Sequence, residues 1–211
     1  LDKYVHTGKI EIYFYIVWII RGCAEVEMVL YHGSLIGGID VLKPSVSEHG
    51  EPFVYFSSNP AVAAFYTVRA VEKPFSWYPY GFNGKGVPEY VEYYPDALMD
   101  IYGGKQGYLY VCKDVPDTAN PTHIRCAYAS RNPVAADDCI ALDDVYMYFM
   151  ESEKRGELAV RKFESLNEKE LAFANNYLRK LIVENDLKHK PDSKLALLVK
   201  SRFPKVWEEA L

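Results

Sequence analysis

Two short apolar strands, and the residues they run into, constrain this chain more than any other feature. Val29 to Tyr31 reads as a strand that delivers His32-Gly33-Ser34, and Phe53 to Phe56 reads as a second, β-branched and aromatic strand carrying Tyr55. Ser57-Ser58-Asn59-Pro60 then signals a helix start, with a polar cap and proline at the first helical position. Ala61 to Tyr66 continues as helix, which places Tyr66 eleven residues beyond Tyr55. A histidine after one strand, a tyrosine on the next and a second tyrosine on the following helix make a mixed α and β chain the expectation.

The rest of the sequence extends this pattern. Residues 72–107 are rich in Pro, Gly and Tyr and read as a loop-rich insertion, of the kind that carries function or acts as a lid. Gly107 to Cys112 reads as a strand, and Ile124 to Tyr128 and Pro133 to Ala136 as two shorter ones. From Leu142 the period changes. Asp143 or Asp144 caps a helix that Gly156 stops, and Glu157 to Phe163 alternates weakly as a last strand. Ser165-Leu166-Asn167-Glu168 has the form of a capping box opening a helix to about Glu184, and Asp192-Ser193 opens a final helix that breaks at Pro204. The expected layout is an N-terminal extension (1–27), a strand-rich domain (28–163) and a helical appendage (164–211).

Ile12 to Ile20 is an uninterrupted apolar run. It is shorter than the roughly 20 residues a membrane span needs. It has the length of a signal-peptide core, but Arg21-Gly22-Cys23 is a poor cleavage site, so a buried strand or a docked helix stay open. Met28, just ahead of the first strand, is a candidate biological start. No membrane partner is expected. The net charge of −5 argues against broad binding to nucleic acid, although a local basic groove can survive inside an acidic total. The four cysteines show neither CxxC spacing nor a histidine at a ligand interval, which favours free thiols in a reducing, cytoplasmic setting over a zinc site. Asp137-Asp138 and Asp143-Asp144 lack a calcium-loop context, His49 and His123 fall in loops, and GxGxxG, P-loop and GxSxG motifs are absent.

Leu30-Tyr31-His32-Gly33-Ser34 and Val54-Tyr55-Phe56-Ser57…Tyr66 resemble the first two motifs of the ADP-ribosyltransferase superfamily, in its poly(ADP-ribose) polymerase branch. Asn120-Pro121-Thr122, Arg125, Tyr128 and Arg131-Asn132-Pro133-Val134 extend a resemblance to the rifampin ADP-ribosyltransferases over roughly residues 29–136. The resemblance implies an α+β fold with a split antiparallel β-core, small helices and a helical tail. It also implies NAD as substrate and mono-ADP-ribosyl transfer to an acceptor it does not name. His32 would hold the ribose 2′-hydroxyl, Gly33 and Ser34 would belong to the same pocket, and Tyr55 and Tyr66 would flank the nicotinamide. Ala63 stands where the polymerase branch has an amide-binding serine, and Asn132 where the rifampin pattern has a glutamate. The catalytic acid falls loosely at Asp117, with Asp114, Glu89 and Glu92 as rivals. Two other readings stay open. One is an acid-less module that binds NAD or ADP-ribose-like ligands. The other is a tRNA 2′-phosphotransferase-like enzyme, which would draw on Arg69, Arg125 and Arg131.

Overall fold

The computed structural model of the chain describes residues 28–46, 50–68, 79 and 81–210. In chain order, its first half holds β1 (Leu30–Ser34), β2 (Val41–Leu42), β3 (Ser45–Val46), β4 (Pro52–Ser57), α1 (Pro60–Ala64), a 3-10 turn (Phe65–Thr67), β5 (Gly81–Phe82), β6 (Pro88–Val91) and α2 (Ala97–Tyr102). The second half holds β7 (Gly107–Cys112), β8 (Ala127–Ser130), β9 (Val134–Ala135), β10 (Asp138–Leu142), α3 (Val145–Lys154), β11 (Ala159–Arg161), a second 3-10 turn (Phe163–Ser165), α4 (Glu168–Glu184), α5 (Lys194–Arg202) and α6 (Pro204–Glu209). The chain is α+β. The expected extension 1–27, His49, Arg69 and residues 72–78 lie outside the described residues.

The main sheet is antiparallel and runs β10-β7-β1-β4-β3, with β8 also paired to β4. β1 pairs β7 along its full length, from Leu30↔Cys112 to Ser34↔Tyr108, but meets β4 at the single pair Tyr31↔Ser57. The sheet is thus split between β1 and β4. One face carries Leu30, Val54, Phe56, Tyr110 and Cys112, packed with Leu42 and Val134. The other is covered by α1, the 3-10 turn and α3, through Ala63, Ala64, Phe65, Leu109 and Phe149. Phe65 stacks on Phe149 at 4.1 Å between ring centroids. A small second sheet, β11-β6-β5, lies beside this core and contributes Tyr90 to it.

Two glycines set how closely the helical layer can approach. A Cβ on Gly33 would lie 2.0 Å from the Ala63 carbonyl oxygen, and one on Gly107 would lie 2.3 Å from the Thr67 Cβ. The turn carrying Phe65, Tyr66 and Thr67 therefore rests directly on β1 and β7, which only residues without a side chain permit.

Several boundaries differ from the sequence expectation. Asn59 caps α1 by accepting from the Val62 N–H at 3.0 Å, but the helix tightens to 3-10 after Ala64, so Tyr66 sits on a turn rather than an α-helix. The strand expected at 124–128 starts at Ala127, and the one at 133–136 contracts to Val134–Ala135. β10 and α2 were not expected: β10 opens on Asp138, directly after Asp137, and α2 hides within the aromatic insertion. The capping box lies two residues later than Ser165 and Glu168 suggest. Asn167 accepts from the Glu170 N–H, and Glu170 accepts from the Asn167 N–H at 3.0 Å. Asn caps at least as well as Ser, and Ser165 is already committed to the 3-10 turn, donating to the Lys162 carbonyl at 2.6 Å. Asp144 and Ser193 cap α3 and α5 as expected. α4, α5 and α6 pack on one another and on Tyr94 and Ala97, and Arg202 grips Asp100 with both ends of its guanidinium.

Candidate functional site

The β1–β4 seam is built around His32. Ala129 of β8 exchanges both of its backbone hydrogen bonds with Ala119, at 2.8 and 2.9 Å. Its pairing with Tyr55 on the other side is therefore of the non-hydrogen-bonded kind, which turns the Tyr55 N–H and C=O toward β1. β1 and β4 share the rung Tyr31↔Ser57, and beyond it the His32 imidazole meets that carbonyl, with Nδ1 2.8 Å from the Tyr55 oxygen. A carbonyl can only accept, so Nδ1 carries the proton and the lone pair lies on Nε2. Burial holds the His32 pKa below its ordinary 6.5, and the carbonyl bond only partly offsets this. Burial thus favours the neutral ring. Among the described residues no group bonds Nε2, which leaves one hydrogen-bond acceptor ready for a hydroxyl.

The ring is held from the far side as well. Phe56 meets it edge-on at 6.0 Å and Tyr110 lies at 6.5 Å. The Tyr110 hydroxyl donates to the Ile36 carbonyl at 2.8 Å and accepts from the Ile39 N–H at 3.0 Å, tying the loop after β1 over this face. Nothing in the sequence marks Tyr110 for that task, because its partner loop is about seventy residues away. Ser34 closes the turn locally, its Oγ accepting from the Ile36 N–H at 3.0 Å.

The other expected residues are brought together only in part. Side chains alternate along a strand, so Tyr55 leaves β4 on the face opposite Phe56 and His32. There its ring meets Phe53 at 5.7 Å. Tyr66, half exposed, stands beside Thr67, whose backbone nitrogen is 3.2 Å from the position of a Gly33 Cβ. Gly33 and Tyr66 are thus neighbours on the Tyr55 side of the seam, while the His32 ring lies on the other.

Asp117 is not brought to this seam. It sits in a turn with φ 49°, its carboxylate accepting from the Asn132 side-chain amide at 2.6 Å. It lies two residues before Ala119, which forms the rung beyond β8. From β1 across β4 and β8 to that rung is three strand spacings, about 14 Å. The rivals are also committed elsewhere. Glu92 is buried and accepts from the Leu98 N–H at 3.2 Å, capping α2 in place of Asp96, whose left-handed backbone disqualifies it. Its Oε1 also meets Lys162 at 3.2 Å. Glu89 pairs with Arg161 at 3.4 Å, and Asp114 is exposed just after β7. No carboxylate stands on β1, β4 or β8.

No family model, no curated protein and no solved structure matches this chain. The site must therefore be read from its own chemistry. A neutral imidazole acceptor at a split in a sheet suits a ligand that offers a hydroxyl, while the tyrosines of the neighbouring strand and turn offer aromatic surface on the opposite face. Among the described residues no group of three His, Cys, Asp or Glu side chains is placed to hold a metal ion, and no helix is long and apolar enough to cross a membrane.

Proposed function

We propose that this chain binds NAD through its nicotinamide–ribose half at the β1–β4 seam, and that mono-ADP-ribosyl transfer to an acceptor is the activity the seam serves. The observation that carries this reading is the pinned His32 ring. Its neutral Nε2 can accept from a ribose hydroxyl, and a ring locked by Tyr55, Phe56 and Tyr110 loses little freedom when it does so. Tyr55 and Tyr66 stand on the other face of the seam from the His32 ring, so a nicotinamide between them would have to reach through the split between β1 and β4. Release of nicotinamide leaves a cation-like sugar, and a carboxylate beside it would stabilise that charge.

One observation favours a second reading, an NAD- or ADP-ribose-binding module without transfer. Asp117 is held by Asn132 on the far side of β8, and none of β1, β4 and β8 supplies a carboxylate. The phosphotransferase alternative draws less support. Arg125 and Arg131 lie at opposite ends of β8, and Arg131 is engaged by Glu51 and the Phe53 ring.

Calorimetry of NAD binding, with nicotinamide release followed in the same samples, tests both readings. Binding that is lost in His32→Ala, with release by the wild type, supports transfer. Binding that depends on His32 without any release supports the module. Equal binding by wild type and His32→Ala removes the seam from both.

A further inference from the structure

The described arginines divide sharply. Arg131, Arg155, Arg161, Arg179 and Arg202 each meet a carboxylate. Arg125 meets none. Its guanidinium lies over the Phe82 ring at 5.5 Å and against Gly86, where a Cβ would stand 2.7 Å from Nη1. The turn it rests on is rigid. Asn83 donates its N–H to the Val87 carbonyl at 2.9 Å and accepts the Gly86 N–H on its own carbonyl at 2.8 Å. Its Oδ1 accepts from the N–H groups of Lys85 and Val87 at 3.0 and 3.1 Å. Gly86 holds φ 78°, a conformation glycine adopts freely, and its lack of a side chain also makes room for the guanidinium. Lys85, at the tip of the same turn, is exposed, and among the described residues it likewise meets no carboxylate. Among those residues a chain with net charge −5 thus leaves Arg125 and the lysine of the turn it rests on without an acid.

We infer that Arg125 and Lys85, seated on the Phe82–Val87 turn, form an anion subsite for the diphosphate of a dinucleotide. This deepens the proposed function and rests on it for the identity of the ligand. A planar guanidinium fixed on an aromatic face presents its remaining N–H groups as a preorganised fork, the geometry that suits phosphate oxygens. The Ser58 N–H donates to the Cys126 carbonyl at 3.0 Å, which fastens the segment carrying Arg125 to the end of β4. Ser57, at that same end, holds the rung shared with β1, at Tyr31, next to His32. Two strand spacings, about 10 Å, separate β1 from β8, and a ligand with its sugar at His32 would have to cross them to lay its phosphates at Arg125.

The test is calorimetry of NAD, ADP and nicotinamide riboside with wild type, Arg125→Gln and Arg125→Lys. Near-UV circular dichroism verifies that each variant keeps the wild-type fold. Nicotinamide riboside has no phosphate, and ADP has no nicotinamide. The expected result is roughly ten- to a hundredfold weaker binding of NAD and ADP by Arg125→Gln, with nicotinamide riboside unchanged. Arg125→Lys, which keeps the charge and loses the fork, is expected to lose less. Equal affinities of wild type and both variants for NAD and ADP overturn the subsite, as does a wild type that binds neither. A wild type that binds ADP through Arg125 but shows no His32-dependent gain with NAD keeps the subsite and overturns the nicotinamide reading.

Discussion

Replacing Gly33 by alanine is the most direct test of why this strand carries a glycine. The new Cβ would stand 2.0 Å from the Ala63 carbonyl oxygen and 3.1 Å from its carbon. Ordinary contact begins near 3.4 Å, so β1 and α1 must part by about 1.4 Å. Both partners are backbone, so no side chain can turn aside. The three alanines that follow Pro60 and the Phe65 ring are buried beneath α1 and its turn. A gap of that size forfeits a quarter to a half or more of each dispersion contact across it. The cost should be about 3 kcal/mol, at the upper end of overpacking penalties. For a chain of this length that lowers Tm by roughly 6–12 °C. Gly84→Ala is the control: nothing lies within 4 Å of its Cβ position, and its backbone is not left-handed. Thermal unfolding followed by near-UV circular dichroism, with its many tyrosines as reporters, reads both variants. A Gly33→Ala protein that melts within about 2 °C of the control would show that the strand–helix contact does not require glycine. A large loss would mean that diminished ligand binding in this variant reports on folding, not on a contact from Gly33 to nicotinamide.

Three further outcomes follow from the same geometry. Because burial lowers the folded-state pKa of His32 below 6.5, the unfolded chain takes up a proton that the folded chain refuses as the pH falls below that value. Wild-type stability should therefore fall between pH 7 and 5 more steeply than that of His32→Gln, and parallel denaturation curves across this range would refute it. Burial beside Asp137 pushes the Cys112 thiol up to about 12, while Cys139 is exposed. Native alkylation at pH 8 with mass-spectrometric mapping should label Cys139 well before Cys112, and comparable rates would contradict the buried placement. Asn167→Ala should cost about 1 kcal/mol through loss of the α4 cap, whereas Ser165→Ala should cost less; the reverse order in urea denaturation would return the capping box to Ser165.

Much of the strand framework was legible because it rests on local chemistry. β1, β4 and β7 announce themselves by apolar and β-branched runs, and Asn59, Asp144 and Ser193 by side chains that a helix start rewards. β10 was hidden because an exposed edge strand need not alternate, and its first residue is an aspartate. α2 was hidden because its cap comes from Glu92, six residues upstream of Leu98, rather than from the residue before the helix. In the seam, His32 and Tyr55 were visible as residue types, but the bond that joins them runs from a side chain to a backbone carbonyl. No sequence pattern encodes which way a carbonyl points. The distance of Asp117 from the seam was hidden for a related reason: its place in the chain says nothing of the two strands that come between it and β1.

The contact between the helical tail and the aromatic insertion bears on how this protein can change over time. Tyr94 and Ala97 are buried in one cluster with α4, α5 and α6, and Asp100 is held by Arg202 from the same tail as well as by the Tyr94 hydroxyl. The seam near residue 163 is thus no modular joint. Deleting the helices would uncover Tyr94 and Ala97 and leave Asp100 without its arginine, and remodelling the insertion would take from the helices part of the surface they pack against. The two segments are far apart in sequence, but lineages should gain, lose or exchange them together, and drift in one should be answered by compensating drift in the other.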